Sequence, residues 1–159
     1  MNKSTDWLAS FVAESNAIEG ITRDSRFAEI KVTEEFIALD KITVEDIENF
    51  VSVIAPGNIL RDKEGLNVRV GNHYPPKGGM YIRGQLGNII FRANALEDPY
   101  KIHHEFETLH AFSDGNGRSG RALWLWQMLR GPQPHWPRQL GFLRAWYYQS
   151  LEHGDSRNV

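Results

Sequence analysis

The densest group of reactive side chains lies at residues 110–121, where the sequence reads HAFSDGNGRSGR. Its glycines let several backbone N–H groups turn toward one point, and a helix that begins with such groups attracts anions. Arg118 and Arg121 fall in the first turns of the next predicted helix, where the helix dipole disfavours cations. Two cations at that helix end predict an anionic ligand, and phosphate fits because arginine binds its oxygens bidentately.

Asp114 and His110 extend this prediction from a ligand to a reaction. Asp114 would repel a phosphate unless a hard cation lay between them, and Mg²⁺ commonly binds carboxylates together with substrate phosphates. His110 precedes Asp114 by four residues, and an imidazole can take a proton from a hydroxyl near neutral pH. The group predicts Mg-nucleotide binding with phosphoryl or nucleotidyl transfer. An ordinary capped turn and a helix-end histidine remain the structural alternatives.

A zinc site is the competing interpretation of the histidines in HHEFETLH, residues 103–110. Zinc proteases place two histidines four residues apart on one helix face. His104 and His110 are six residues apart and point to different sides of a helix. His103 and His110 share a face but stand about 10 Å apart along the axis. The spacing therefore disfavours a zinc protease.

Length, charge and cysteine content limit the kinds of protein in which these residues can lie. The 159 residues are 41% hydrophobic with a net charge of -2, which predicts a single domain over residues 1–159 and no nucleic-acid surface. The absence of cysteine excludes disulfides and thiolate metal sites. The first residues lack a signal-peptide core, and the longest apolar run, ALWLW, is too short to span a bilayer. We expect a soluble cytoplasmic protein with no membrane partner.

Apolar periodicity predicts the helices that position the reactive residues. A first helix has Ser4 or Thr5 as its N-cap, and four apolar residues from Phe27 to Ile37 suggest a second. Thr43 caps a third helix, which Pro56 and the following glycine end. Helical patterns return at residue 80, continue to His110, and recur in RSGRALWLWQMLR and LGFLRAWYYQSLEH. Between them, LNVRVGNHYPP alternates apolar and polar residues before a Gly-Asn turn. Together, these patterns predict an all-α bundle with one short β-hairpin.

Residues 110–121 resemble the signature of the Fic (filamentation induced by cyclic AMP) family, written H-x-F-x-D/E-G-N-G-R-x-x-R. Every specified position is matched, and Ala111 stands where the family usually has proline. The resemblance implies a Fic-like helical bundle that transfers AMP from ATP to a Ser, Thr or Tyr hydroxyl of a target protein and releases pyrophosphate. It also implies Mg²⁺ as the cofactor.

The resemblance assigns roles to individual residues. It implies that His110 is the general base, Asp114 the Mg²⁺ ligand and Phe112 the anchor of the loop. The positions implied to bind nucleotide phosphates are Gly115, Asn116, Gly117, Arg118 and Arg121. A flap at about residues 66–80 would pair with an extended target segment by β-strand addition. Its predicted target-binding residues are Asn72, His73 and Tyr74.

A second resemblance lies in SNAIEG, residues 15–20. A glutamate at a helix C-terminus opposes the helix dipole, as the two arginines do at their helix end. The stretch resembles the Fic inhibitory motif S/T-x-x-x-E-G/N. It implies that about residues 1–22 form an inhibitory helix containing Ser15 and Glu19, and that Glu19 pairs with Arg121 and obstructs the γ-phosphate. In some family members this glutamate instead supports removal of AMP from a modified target.

Several alternatives stay open from sequence alone. Relatives of the family also transfer UMP, a phosphate or phosphocholine, and a non-catalytic interaction module is a further alternative. The residues that recognise the base cannot be read, although Tyr100, Trp124 and Trp126 are candidates for stacking or for the core. Self-modification and a homo-oligomer also remain open. Aromatic residues of the C-terminal segment are candidates for an oligomer contact: Trp136, Trp146, Tyr147 and Tyr148.

Overall fold

A computed structural model describes residues 3–132 and residue 134, and within them the chain forms six α-helices. They are α1 (Lys3–Ile18), α2 (Phe27–Ile37), α3 (Val44–Ile54), α4 (Met80–Asn94), α5 (Pro99–Leu109) and α6 (Asn116–Met128). The predicted all-α class is confirmed. Over these same residues, every helix is too short or too polar to cross a membrane.

α6 lies at the centre of the bundle and packs against all five other helices. All of its residues except Gly117 are buried, which is typical of a helix surrounded by others. Trp124 and Trp126 are each 1% exposed. The ring of Trp126 belongs to the main core, and Trp124 packs with the apolar face of α1. These tryptophans are therefore core residues, and they fix the position of the helix that begins with the glycine-rich turn.

α1 attaches to the bundle through a separate, smaller apolar cluster. Leu8 and Phe11 pack there against Trp124, Leu125 and Met128 of α6. Full burial of a Leu or Phe side chain contributes about 1.5 to 3 kcal/mol, so two such residues hold α1 firmly at this end. This docking brings the C-terminal end of α1 toward the first turn of α6.

The helix termini follow the local sequence in one case and depart from it in another. Thr43 caps α3 as predicted, since its hydroxyl accepts from the Asp46 N–H at 3.1 Å and the Asp46 carboxylate accepts from the Thr43 N–H at 2.9 Å. α1 begins at Lys3, so the prediction that Ser4 or Thr5 is its N-cap was wrong. Periodicity identifies the buried face of a helix, but it does not locate the first residue.

The predicted flap crosses the surface between α3 and α4 as an irregular segment, residues 66–79. Its tip is a turn at Gly71 and Asn72, closed by hydrogen bonds of 2.9 and 2.8 Å between Val70 and His73. This single bridge is shorter than the predicted hairpin, because the two prolines at residues 75–76 lack the N–H groups that would continue it. The predicted last helix, residues 140–153, and the C-terminal aromatic residues lie outside the described residues.

Candidate active site

The loop from α5 to α6 begins at His110, whose backbone is left-handed with φ 49° and ψ 58°. A non-glycine residue in this region stores of order 1 to 3 kcal/mol of strain, which persists only where the surroundings impose it. Phe112 is 2% exposed and forms an antiparallel bridge with Leu60. The core therefore anchors the loop at Phe112 as predicted, and the imidazole of His110 projects from a constrained backbone.

Asn116 closes the loop from the other side. Its side chain is buried, with Oδ1 accepting from the Phe112 N–H at 2.9 Å and Nδ2 donating to the Phe112 carbonyl at 2.8 Å. Both ends of the amide thus bind the backbone of Phe112, which leaves the backbone N–H of Asn116 as its natural contact with a ligand. Gly115 precedes it at φ 82°, where a Cβ would also press on Val51 and Ala55 at 3.1 and 3.2 Å.

The first turn of α6 is in contact with the carboxylate of Glu19. A Cβ placed on Gly117 would overlap the Glu19 carboxylate and lie 3.1 Å from Nη1 of Arg121. The glycine therefore permits an anion to approach the helix N-terminus, where unpaired N–H groups and the helix dipole favour negative charge. An anion occupies this position, and it comes from the chain itself.

Arg121 is fully buried, and the end of α1 binds its guanidinium. Its Nε donates to the Ser15 hydroxyl at 2.8 Å, and its Nη2 donates to the Ser15 carbonyl at 3.0 Å. Nη2 also donates to Oε1 of Glu19 at 2.8 Å, and the Glu19 side chain is 39% exposed. The predicted pair between Glu19 and Arg121 is present, and Ser15 is a third residue of the same group.

Arg118 has different surroundings, although it lies only one turn away. Its Nη1 donates to the Ile54 carbonyl at the C-terminal end of α3, at 3.0 Å. The same nitrogen lies 4.0 Å from the carboxylate of Glu29 on α2. The structure thus brings Arg121 to the Glu19 position and directs Arg118 to the α2–α3 side of the bundle.

Glu29 is a buried carboxylate that connects the segment after α1 to the α2–α3 side of the bundle. It accepts from both terminal nitrogens of Arg23 at 3.0 and 3.1 Å and from the Arg26 N–H at 2.7 Å. Burial acts to raise the pKa of Glu29, but these hydrogen bonds and the charges of Arg23 and Arg118 outweigh it, so the pKa lies below its usual value. Glu29 is therefore ionised at neutral pH.

Asp114 is exposed at the start of the turn, and its Oδ1 accepts from the Gly115 N–H at 2.7 Å. An exposed carboxylate beside a phosphate cradle fits Mg²⁺, which takes hard oxygen ligands and keeps few protein contacts. Among residues 3–132 and 134, no three His, Asp or Glu side chains gather into a metal-binding group. Any ion at Asp114 would depend on a ligand for its remaining contacts.

The three predicted target-binding residues lie together at the tip of the flap. Nε2 of His73 is 3.0 Å from the Thr108 carbonyl, which ties the tip to α5. Asn72 and Tyr74 are exposed, and the Arg69 guanidinium lies 5.1 Å above the Tyr74 ring. The flap therefore has one face on the helix that ends at His110 and another toward solvent.

Arg61 is the residue of this region that sequence reasoning missed. It is 1% exposed, and burial lowers the pKa of its guanidinium. Its side chain donates to the carbonyls of both the His110 loop and the flap. Since it stands before the charged run DKEG, its sequence context is that of a surface arginine and carries no signal of burial.

Comparison with known proteins agrees with this geometry. No curated protein and no solved structure matches the chain. A model of the Fic/DOC family matches residues 30–128, more than half of the chain, and this match includes the whole HAFSDGNGRSGR stretch while Ser15 and Glu19 lie before it. Proteins of this family generally transfer nucleotide monophosphate groups onto proteins. On the combined evidence of the helical bundle, the loop and this match, the chain belongs to the Fic/DOC family.

Proposed function

We propose that the protein is an adenylyltransferase that moves AMP from Mg-ATP to a Ser, Thr or Tyr hydroxyl of a target protein. The observation that carries this proposal is the carboxylate of Glu19 between buried Arg121 and the first turn of α6. Helix N–H groups and a guanidinium form the standard combination for binding phosphate. An anion already seated there supports a site for a polyphosphate next to His110.

In the proposed reaction, the target hydroxyl oxygen bonds to the α-phosphorus of ATP. The bond from that phosphorus to the bridging oxygen breaks, and pyrophosphate leaves with the electron pair. His110 takes the hydroxyl proton, while Arg121 and the backbone of residues 115–117 hold the phosphates. Mg²⁺, which Asp114 would hold together with the phosphates, supplies positive charge to the polyphosphate when bound.

The two arginines have unequal parts in this proposal. Arg121 needs only to exchange Glu19 for an outer phosphate, because its guanidinium already faces the first turn of α6. Arg118 uses Nη1 for the Ile54 carbonyl, which ties its guanidinium to the end of α3. Its contacts favour a smaller contribution to phosphate binding, in which it mainly fixes the first turn of α6 against α3.

The flap supplies the proposed position of the target. Apart from the turn at its tip, the flap has no strand partner within the described residues. The part of its backbone that Arg61 and Asn67 do not bind can therefore pair with an extended peptide. His73 attaches the tip to α5. Asn72 and Tyr74, on the solvent side, are the proposed contacts with the target segment, which would present its hydroxyl to His110.

We further propose that α1 inhibits the enzyme through Ser15 and Glu19. A γ-phosphate at Arg121 would meet the carboxylate of Glu19, and like charges in close contact are unfavourable. The Ser15 hydroxyl and carbonyl direct the guanidinium toward α1. Basal transfer is therefore low, and displacement of Glu19 raises it.

The test is labelling with Mg²⁺ and ATP that carries its label on the α-phosphate, with and without cell lysate. Wild type, Glu19→Gly and Glu19→Gly/His110→Ala are compared. Asp24→Gly is the matched control, because it removes an exposed carboxylate from the same segment. We expect labelled protein with Glu19→Gly, little with wild type or Asp24→Gly, and none with the double variant.

Other outcomes of this experiment separate the remaining activities. Label transferred only from UTP or another nucleotide would replace AMP as the group moved. Release of AMP from a previously labelled target by wild type would identify hydrolytic removal of AMP as the activity. If Glu19→Gly and the double variant give equal signals with every donor, while nucleotide still binds, the proposed catalytic role of His110 is wrong.

A further inference from the structure

Arg61 lies in the segment between α3 and α4, and its buried side chain makes four hydrogen bonds to main-chain carbonyls. Its Nε donates to His110 at 2.7 Å and its Nη2 to Leu109 at 3.0 Å. Its Nη1 donates to Leu66 at 3.0 Å and to Pro76 at 2.9 Å. One guanidinium thus contacts the backbone of the proposed base and both ends of the flap.

The main chain of Arg61 repeats this pattern. Its N–H donates to the Ala111 carbonyl at 2.9 Å, and its carbonyl accepts from the Gly79 N–H at 3.0 Å. The side chain and the backbone of the same residue therefore connect the catalytic loop with the base of the flap. A shift of Arg61 would displace both segments together.

The position requires arginine for a physical reason. The carbonyls of Leu109 and His110 end α5, where helix carbonyls lack partners and the dipole is negative. A guanidinium has five N–H donors at fixed angles and can reach carbonyls in several directions. A lysine ammonium has its donors on one atom, so it cannot span the same four oxygens. These contacts also account for the left-handed backbone of His110, which needs such support.

We propose that Arg61 is a positioning residue that sets the place of the His110 imidazole and of the flap together. Under the proposed function, on which the kinetic part of this inference rests, the flap holds the target hydroxyl and His110 takes its proton. The distance between these two groups is then governed by one buried side chain. A misplacement of about 1 Å can cost about 100-fold in rate, so this coupling matters for turnover.

The kinetic test compares Arg61→Lys with Arg130→Lys in the Glu19→Gly background. Arg130 is the matched control, since its guanidinium also donates to backbone carbonyls, those of Ile37, Leu39 and Trp126. Arg61→Lys should lower kcat for AMP transfer by about 10- to 100-fold and change the dissociation constant of ATP less than about twofold, since Arg61 does not contact the α6 turn. Arg130→Lys should destabilise the fold but leave kcat within about twofold.

A second readout does not depend on transfer activity. Isotope-labelled histidine reports the NMR signals of the His110 ring, and hydrogen exchange reports the amides of residues 66–79. Arg61→Lys should change the His110 signals and speed exchange in the flap, whereas Arg130→Lys should change neither. If no transfer is found with any donor, this readout still decides the role of Arg61.

Gly78→Ala gives a variant that leaves Arg61 in place. A Cβ at Gly78 would overlap the carbonyls of Leu66 and Lys63, so it displaces one acceptor of the Arg61 guanidinium. We expect Gly78→Ala to change the His110 ring signals, and this effect to vanish when combined with Arg61→Lys. Unchanged His110 signals and flap exchange in both Arg61→Lys and Gly78→Ala, or equal changes in Arg130→Lys, would overturn the inference.

Discussion

Two buried arginines flank the loop that begins at His110, and their partners differ in kind. Arg61 is 1% exposed and Arg121 is 0% exposed. Arg61 donates to main-chain carbonyls of the loop and the flap. Arg121 donates to the end of α1, and one of its acceptors is the carboxylate of Glu19, whose side chain is 39% exposed. Arg61 is thus held by the backbone on both sides of it, whereas Arg121 is held by the end of a separate helix.

This difference shows which of the two sets of contacts a ligand could replace. A backbone carbonyl belongs to the fold and cannot be replaced by a ligand without unfolding the segment that carries it. A carboxylate at a helix N-terminus can be replaced by a phosphate, because both are anions that accept from the same donors. Arg61 is therefore the proposed constant constraint on geometry, whereas the proposed role of Arg121 is to alternate between the chain's own anion and that of a nucleotide.

The largest effect is expected from removing the exchangeable arginine. In the Glu19→Gly background, Arg121→Ala should lower the initial rate of AMP transfer by about 100-fold or more, because an outer phosphate loses its buried cation. Arg92→Ala, which removes an arginine of α4 paired with Glu105, serves as control and should stay within about twofold. Retention of more than half the rate in Arg121→Ala would mean that Arg118 holds the phosphates instead.

Gly117→Ala should displace the inhibitory Glu19 carboxylate while both arginines stay in the chain, although the new Cβ also lies 3.1 Å from Nη1 of Arg121. The added methyl overlaps the carboxylate of Glu19, so transfer by the otherwise wild-type protein should rise by about tenfold. The same substitution in the Glu19→Gly background should give no further rise, and any loss there measures crowding of the phosphate. The control is Gly87→Ala in α4, where a Cβ meets no atom within 4 Å. It should leave the rate unchanged and add up to about 1 kcal/mol of stability.

Ser15→Ala should change the rate of transfer less than Arg121→Ala or Gly117→Ala does. It removes the hydroxyl that accepts from Nε of Arg121, while the Ser15 carbonyl and Glu19 still hold Nη2. Loss of a single hydrogen bond to a charged group costs about 1.5 to 3 kcal/mol, part of which the remaining contacts recover, so we expect a rise of about two- to fivefold in transfer. A rise as large as that of Glu19→Gly would make Ser15, and not the carboxylate, the main inhibitory contact.

Glu29→Gln should change stability and leave the rate nearly unchanged. The folded pKa of Glu29 lies below its usual value of 4.5, so its ionised form stabilises the native state above that pH. This contribution is lost as the pH falls through the folded pKa. Wild type should therefore lose free energy of unfolding more steeply than Glu29→Gln between about pH 5 and pH 2. Denaturant unfolding at several pH values measures this, with exposed Glu34→Gln as control, and equal slopes for wild type and Glu29→Gln would contradict it.

Sequence reasoning reached the residues whose charges conflict with their own helix ends. Glu19 and Arg121 each oppose a helix dipole, and the structure pairs them. It could not reach Arg61, because the partners of Arg61 are backbone carbonyls, which every residue possesses and no pattern distinguishes. It also could not predict that Arg118 and Arg121 have different surroundings, because the residues that contact each side chain come from helices distant in sequence. The length of the flap hairpin was overestimated, because the prediction gave more weight to the alternating apolar residues than to the two prolines that follow the turn.

The exchange of anions at Arg121 is tested most directly by calorimetric titration of wild type and Glu19→Gly with Mg-ATP and with AMP. AMP lacks the outer phosphates that would compete with Glu19. If the account is right, Glu19→Gly binds ATP about tenfold more tightly than wild type does, equivalent to about 1.4 kcal/mol, and AMP with nearly unchanged affinity. Equal affinities of both proteins for ATP, or an equal gain for ATP and AMP, would contradict the claim that carboxylate and phosphate share one site.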